Sequence, residues 1–164
     1  MKYNGLVFFD MDGVLANCQH RLKYIQNDDY DSFYAPSNVQ KDLPIKAGMD
    51  LLKMFIATGY KPVIVTSRRE ISRNATISWL KYWGIDISPE DVYTRGFGDT
   101  RKSWGVKLDL TENAIQENMD IYMSGTNYFV DDYLANCQAI AGRYKSMQVL
   151  VFGCNRINDN GGEL

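Results

Sequence analysis

The sequence predicts an α/β fold, in which helices cover both faces of a doubly wound, mostly parallel sheet and a small cap is inserted. Two observations support this prediction. Short apolar runs alternate with helical patterns along the 164 residues. Three of the runs end in a polar residue, namely Asp10, Thr66 or Asp131. Because the carboxyl ends of parallel strands share one edge of a sheet, a ligand site is expected at that edge.

Five apolar segments are expected to form the strands. They comprise residues 6–9, 62–65, 128–130 and 149–152, with residues 91–94 as a weaker candidate. Continuous apolar runs of this length are typical of parallel strands that are buried on both faces.

Helices are predicted between these strands. Apolar side chains at i, i+1 and i+4 from Leu51 precede Gly59, and a set at i, i+3, i+4 and i+7 from Thr76 precedes Gly84. Glycine at such positions commonly ends a helix. Two further helices are expected at 107–119 and 133–143, so that Lys107 begins a helix.

Length and composition indicate one domain over residues 1–154, followed by a flexible tail at 155–164. The polar segment at about 17–44 is too long for an ordinary strand-to-helix connection and is expected to form the cap, with a short helix at 21–26. His20, the only histidine, is expected to have a surface or capping role. Lys61 and Arg69 are expected to be solvated.

The net charge of −2 gives no general attraction to nucleic acid or to anionic membranes, so any nucleic-acid contact must be local. Three cysteines without a metal-binding spacing indicate reduced thiols in a cytoplasmic protein. The first residues lack the long apolar stretch of a signal peptide or membrane span, so no membrane association is expected. No obligate protein partner is evident.

Asp10 and Asp12 form the most informative motif, because both carboxylates follow a buried strand and precede Gly13, which allows a sharp turn. One carboxylate can attack an electrophile while the other transfers protons. The alternative is a solvated acidic turn. The apolar strand before the motif and the polar strand ends downstream argue against it.

These segments resemble motifs of the haloacid dehalogenase (HAD) superfamily. Residues 10–15 resemble motif one, residues 63–68 resemble motif two, and residues 129–132 resemble motif four. The resemblance implies that Asp10 is a nucleophile, Asp12 a general acid and base, and Thr66 a ligand of the transferring phosphoryl group. It also implies a Mg²⁺ cofactor. Its ligands would be Asp10, the backbone carbonyl of Asp12, and Asp131 or Asp132.

Within that superfamily the sequence resembles the 3′-phosphatase domain of bacteriophage-type polynucleotide kinases over most of its length. By this resemblance Lys107 matches the catalytic lysine of motif three, with Lys102 as the second candidate. Arg21 and Arg68 match phosphate-binding arginines. The implied substrate-binding residues are Arg21, Ser67, Arg68 and Lys102. The sequence departs from the family at Ser67, which replaces a glycine, at Ser103, which replaces an aspartate, and at Tyr133, which replaces an arginine.

The resulting hypothesis is a Mg²⁺-dependent phosphomonoester hydrolase that acts through an aspartyl phosphate on nucleotide substrates, such as polynucleotide 3′-phosphate ends. One alternative is a phosphatase of small nucleotides or sugar phosphates, which the net negative charge favours. Another is a HAD-like binding protein without catalysis. The presence of every candidate catalytic residue argues against that last alternative.

Overall fold

The structure, a computed structural model, describes residues 3–153, so the predicted tail lies outside the described residues. Seven strands form two sheets. In chain order they are β1 (Leu6–Phe9), β2 (Ala16–Asn17), β3 (Leu43–Pro44), β4 (Lys61–Arg69), β5 (Val92–Arg95), β6 (Tyr128–Asp131) and β7 (Gln148–Val151). The main sheet has the order β5-β4-β1-β6-β7, and all of its neighbours are parallel.

Eight α-helices accompany the strands within residues 3–153. They are α1 (Leu22–Ile25), α2 (Tyr30–Phe33), α3 (Pro36–Val39), α4 (Lys46–Ala57), α5 (Arg73–Tyr82), α6 (Ser103–Glu117), α7 (Met119–Ser124) and α8 (Leu134–Arg143). Helices α4 and α5 pack on one face of the main sheet, and α6 and α8 pack on the other. The predicted α/β architecture is confirmed. None of the helices described is long and apolar enough to cross a membrane.

Strand β1 shows why the strands are continuously apolar. Val7 and Phe9 belong to the core that includes α4 and α5, whereas Leu6 and Phe8 belong to the core that includes α6 and α8. Successive side chains of a strand point to opposite faces. Since both faces are covered, every residue of β1 is buried.

Helix α6 begins at Ser103, one turn before the predicted start at Lys107. Val106 is buried, and the apolar face that it begins continues at Ala114 and Ile115. The prediction was wrong because it counted the apolar face only from the lysine onward. Lys107 therefore lies within the helix, where regular backbone hydrogen bonding holds its base.

The segment at 17–44 is closed at its base by the antiparallel pairing of β2 with β3. Helices α1, α2 and α3 lie between these two strands. Cys18, Phe33 and Tyr34 form a small buried cluster of their own. Arg21 is fully buried in this segment, although its neighbours in sequence are largely polar.

The two cations that we expected to be solvated both have carboxylate partners. Lys61 Nζ lies 2.8 Å from Asp91 Oδ1, and its side chain is mostly buried. Arg69 Nη1 lies 2.7 Å from Asp31 Oδ1, so Arg69 joins β4 to helix α2. Both partners are distant in sequence, which is why local composition did not reveal them.

Candidate active site

The carboxyl ends of three strands bring the polar residues of the predicted site together. β1 lies between β4 and β6, with Phe9 in register with Ile64 on one side and Val130 on the other. Asp10 follows β1 and Asp131 ends β6, whereas Thr66 lies within β4, two positions beyond Ile64; all three are buried. The parallel order of the sheet thus produces the shared edge that the sequence predicted.

Gly13 allows the turn after β1 to approach the end of β6. Its φ of +85° lies in the left-handed region that favours glycine. A Cβ at this position would lie 1.9 Å from Asp132 Oδ2. The glycine therefore serves both the turn and the close contact with Asp132.

Three carboxylates form an acidic cluster at this edge. Asp10, Asp131 and Asp132 each offer an oxygen, and these oxygens lie within 4.8 Å of one another. Asp131 is held in place by the backbone N–H of Tyr133 at 2.9 Å and by Asn136 Nδ2 at 3.1 Å. A compact set of oxygen ligands suits a hard divalent cation such as Mg²⁺. Sequence reasoning missed Asn136, which carries no recognisable motif.

Lys107 extends from α6 into the acidic cluster. Its Nζ lies 2.6 Å from Asp10 Oδ1 and 3.0 Å from Asp131 Oδ2, and it donates a hydrogen bond to the carbonyl of Val65 at 2.7 Å. Burial alone would lower the pKa of Lys107, but the charges of Asp10 and Asp131 outweigh burial and raise it. Lys107 is therefore a fixed cation beside Asp10. Lys102, by contrast, is exposed just before α6.

The carboxylates of the acidic cluster are buried and repel one another, which disfavours their charged forms. Burial raises the pKa of Asp10 to about 8; Lys107 opposes this shift, and the charges of Asp131 and Asp132 add to it. Burial, together with the charge of Asp131, raises the pKa of Asp132 to about 6. One lysine does not neutralise three carboxylates. The cluster therefore has the excess negative charge that a bound cation would compensate.

Asp12 faces two arginines instead of the acidic cluster. Arg21 Nη2 and Arg68 Nη2 each donate to Asp12 Oδ1 at 2.6 Å. Burial would raise the pKa of Asp12, but Arg68 and Arg21 together outweigh burial and lower it. The role of general acid that the resemblance implies for Asp12 requires an environment that raises this pKa. In the structure the two arginines instead favour the charged carboxylate.

Asp42 is a second residue of this site that sequence reasoning missed. It is buried and accepts hydrogen bonds from Arg21, Arg68 and His20, the last from Nε2 at 2.8 Å. His20 therefore has a specific partner rather than a general surface role, although its side chain remains 39% exposed. The one available signal was indirect: two buried arginines need more negative charge than Asp12 supplies.

The hydroxyls of motif two lie in the last part of β4, which ends at Arg69. Thr66 is buried, and its Oγ1 accepts a hydrogen bond from the backbone N–H of Arg68 at 3.2 Å. Ser67 Oγ lies 2.7 Å from Ser103 Oγ. Ser67 and Ser103 are two of the three departures noted from the family pattern, and they contact each other. This hydrogen bond joins the end of β4 to the start of α6.

The structure thus places seven of the predicted site residues in two groups of neighbouring side chains. The acidic cluster with Lys107 contains Asp10, Asp131 and Asp132; the arginine group contains Asp12, Arg21 and Arg68. Thr66 and Ser67 immediately precede Arg68 in the sequence.

Comparisons with known proteins identify a family for this chain and structures of similar fold. The family described as the polynucleotide kinase PNKP phosphatase domain matches residues 4–134. A chain in the structure of the Pnkp1/Rnl/Hen1 RNA repair complex is 22% identical, with a TM-score of 0.68 over 90% of this protein and 42% of that chain. A second Pnkp1/Rnl/Hen1 structure gives 21% identity and a TM-score of 0.65, over 92% of this protein and 46% of that chain. This protein thus spans less than half the length of either chain.

Phosphatases of other kinds share the fold. The class C acid phosphatase from Bacillus anthracis is 16% identical, with a TM-score of 0.59 over 93% of this protein and 67% of that chain. Among proteins with curated functions, none matches this sequence. The family match covers most of the chain and spans both groups of site residues, from Asp10 to Asp132. The protein is therefore a HAD-type phosphatase that belongs to the polynucleotide kinase PNKP phosphatase domain family.

Proposed function

We propose that this phosphatase removes phosphate from nucleotide monoesters, with the 3′-phosphate ends of polynucleotides as the first candidate substrate. The reaction would proceed through an aspartyl phosphate on Asp10 with Mg²⁺ as cofactor. The observation that carries the proposal is the contact of Lys107 Nζ with Asp10 Oδ1 at 2.6 Å inside the acidic cluster. The family match supports the nucleotide class of substrate.

Mg²⁺ fits the oxygen donors of the acidic cluster. The side chains of Asp10 and of Asp131 or Asp132 would hold it, together with the backbone carbonyl of Asp12. When bound, Mg²⁺ supplies positive charge that offsets the repulsion between the carboxylates and a phosphate dianion.

Two carboxylates carry out the reaction, one as the nucleophile and the other as the proton donor and acceptor. Asp10 attacks phosphorus in line, and the bond from phosphorus to the leaving oxygen breaks while Asp12 gives that oxygen a proton. Asp12 next takes a proton from water, whose oxygen attacks the aspartyl phosphate and releases inorganic phosphate with Asp10 restored. A phosphoryl group that accepts hydrogen bonds from Arg21 and Arg68 would weaken the hydrogen bonds that these arginines donate to Asp12. This change raises the pKa of Asp12 toward the value that a proton donor needs.

The other residues of the site would stabilise charge on the phosphoryl oxygens. Lys107 contributes a buried cation, and Arg21 and Arg68 contribute N–H donors in a fixed geometry. The hydroxyls of Thr66 and Ser67 add neutral donors from the last part of β4. Lys102, which lies outside the acidic cluster, would contact substrate farther from the reacting phosphorus.

A small mononucleotide is the second candidate substrate, because the net charge of −2 does not favour long polyanions. The two candidates are separated by measuring phosphate release, with Mg²⁺ present, from 3′-phosphorylated oligonucleotides, nucleoside 3′- and 5′-monophosphates and sugar phosphates. Preference for the oligonucleotides supports the first candidate. Equal or better hydrolysis of sugar phosphates would contradict the nucleotide assignment.

A further inference from the structure

Asp42 binds both of the arginines that point at Asp12. Its Oδ2 accepts hydrogen bonds from Arg21 Nη2 at 2.7 Å and from Arg68 Nη2 at 2.6 Å. Its Oδ1 accepts a hydrogen bond from Arg21 Nε at 2.9 Å, so two parallel hydrogen bonds hold Arg21. Bidentate contact of this kind fixes the plane of a guanidinium group as well as its position.

The same Nη2 atoms also connect the arginines to the catalytic side of the site. Each donates to Asp12 Oδ1 as well as to Asp42, which accounts for both hydrogens of each Nη2. The Nη1 atoms donate within the protein, from Arg21 to the carbonyl of Phe33 and from Arg68 to Thr76 Oγ1. The Asp12 side chain is 21% exposed, whereas that of Asp42 is fully enclosed. A substrate can therefore reach these Nη2 hydrogens only on the Asp12 side.

We propose that Asp42 is a positioning residue, which holds Arg21 and Arg68 together as one phosphate-binding pair. Each arginine then directs one Nη2 hydrogen toward the place that a phosphoryl oxygen takes. This inference rests on the proposed function, since its ligand is the phosphate of a monoester. Without Asp42, two buried guanidinium groups would share a single carboxylate, and either could turn away from the substrate. Donors that are fixed in advance need no reorganisation when charge develops.

Asp42 is itself held at two points. Trp79 Nε1 donates to the backbone carbonyl of Asp42 at 2.7 Å, in a buried hydrogen bond from helix α5. His20 Nε2 lies 2.8 Å from Oδ1. Arg21 and Asp42 belong to the segment at 17–44, whereas Arg68 belongs to β4, so this carboxylate also ties that segment to the edge of the sheet.

The variant Asp42→Asn keeps the shape of the side chain but removes its charge and one acceptor oxygen. We expect KM for p-nitrophenyl phosphate to rise at least about tenfold, and kcat/KM to fall about tenfold to hundredfold. The Kd for inorganic phosphate, measured by calorimetry, should rise with KM. A merely structural role would lower the active fraction, and hence kcat, without changing KM or this Kd.

Asp31→Asn is the matched control. Asp31 lies in the same segment and also bonds an arginine of β4, but this partner is the part-exposed Arg69. The control should leave KM and the Kd for phosphate unchanged. A folded Asp42→Asn protein with both constants within about twofold of the parent overturns the proposal.

His20 provides a second test if Asp42→Asn does not fold. His20→Ala removes one contact of Asp42 Oδ1, and we expect the Kd for phosphate to rise more than about twofold, with recovery in His20→Gln. No change in His20→Ala then overturns the proposal. The Kd for inorganic phosphate does not depend on which ester is hydrolysed. If the unsubstituted protein binds phosphate but hydrolyses no nucleotide, the proposed function is refuted, whereas the role of Asp42 is not.

Discussion

Gly13 and Asp132 are in contact across the ends of β1 and β6, and a Cβ on Gly13 would lie 1.9 Å from Asp132 Oδ2. Gly13→Ala should therefore displace this carboxylate and also strain a backbone with φ of +85°. We expect a loss of about 1–3 kcal/mol in the free energy of unfolding and a higher Mg²⁺ requirement for activity. Denaturant titration and a Mg²⁺ titration of turnover measure the two effects.

Gly142→Ala is the control for that substitution. Gly142 lies in α8, and an added Cβ there would meet nothing within 4 Å. This variant should gain up to about 1 kcal/mol from the better helix former. Wild-type stability and Mg²⁺ dependence in Gly13→Ala would show that the two strand ends do not need this close approach.

Lys107→Ala should lower turnover by about two to three orders of magnitude, because it removes a buried cation that contacts Asp10. Lys102→Ala should cost less than about tenfold, since Lys102 is exposed and lies outside the acidic cluster. Turnover of both variants should be compared on one substrate at saturating Mg²⁺. The reverse ranking would assign the motif-three role to Lys102.

Asp10→Asn should reduce phosphate release to background while the protein remains folded, since the amide keeps the shape but cannot attack phosphorus. Circular dichroism with a phosphate-release assay tests both parts.

Asp12→Asn should retain more activity on esters with good leaving groups than on alkyl esters, because good leaving groups need no proton. Substantial turnover by Asp10→Asn, or an equal loss on all esters with Asp12→Asn, would contradict these assignments.

Removal of Mg²⁺ with a chelator should abolish turnover, and added Mg²⁺ should restore it. Asp131→Ala and Asp132→Ala should each raise the Mg²⁺ concentration needed for half-maximal rate or eliminate turnover, because each removes an oxygen of the acidic cluster. Glu90→Ala, a change at an exposed carboxylate outside the acidic cluster, serves as control. Full activity in excess chelator would refute the metal requirement.

Cys18 should resist alkylation in the folded protein. Burial, reinforced by the charge of Asp12, raises the pKa of this thiol to about 12. Since the thiolate is the reactive form, the rate at Cys18 should increase about tenfold per pH unit through pH 9 and beyond. Mass mapping after iodoacetamide treatment at several pH values measures this rate, with urea-unfolded protein as control. A plateau near pH 9 would mean that the thiol is not buried as described.

The sequence by itself determined the fold class and the edge of the sheet that carries the site. Apolar runs between helical patterns were sufficient, because a strand segment that is covered on both faces by the core favours apolar side chains. Asp10 and Asp131 consequently marked two strand ends, and Thr66 marked the end of the apolar run within β4; parallel pairing brings the three together. Family resemblance added Lys107, Arg21 and Arg68, whose distances along the chain would not otherwise connect them to Asp10.

Only the tertiary structure decided which partners these residues have. Asp42, His20 and Asn136 act through contacts with residues that follow no local period, so neither helical nor strand spacing could identify them. The pKa of Asp12 is a further example: its direction depends on two arginines, one from the segment at 17–44 and one from β4. Charge compensation in a buried site depends on distance in space, and only folding sets that distance.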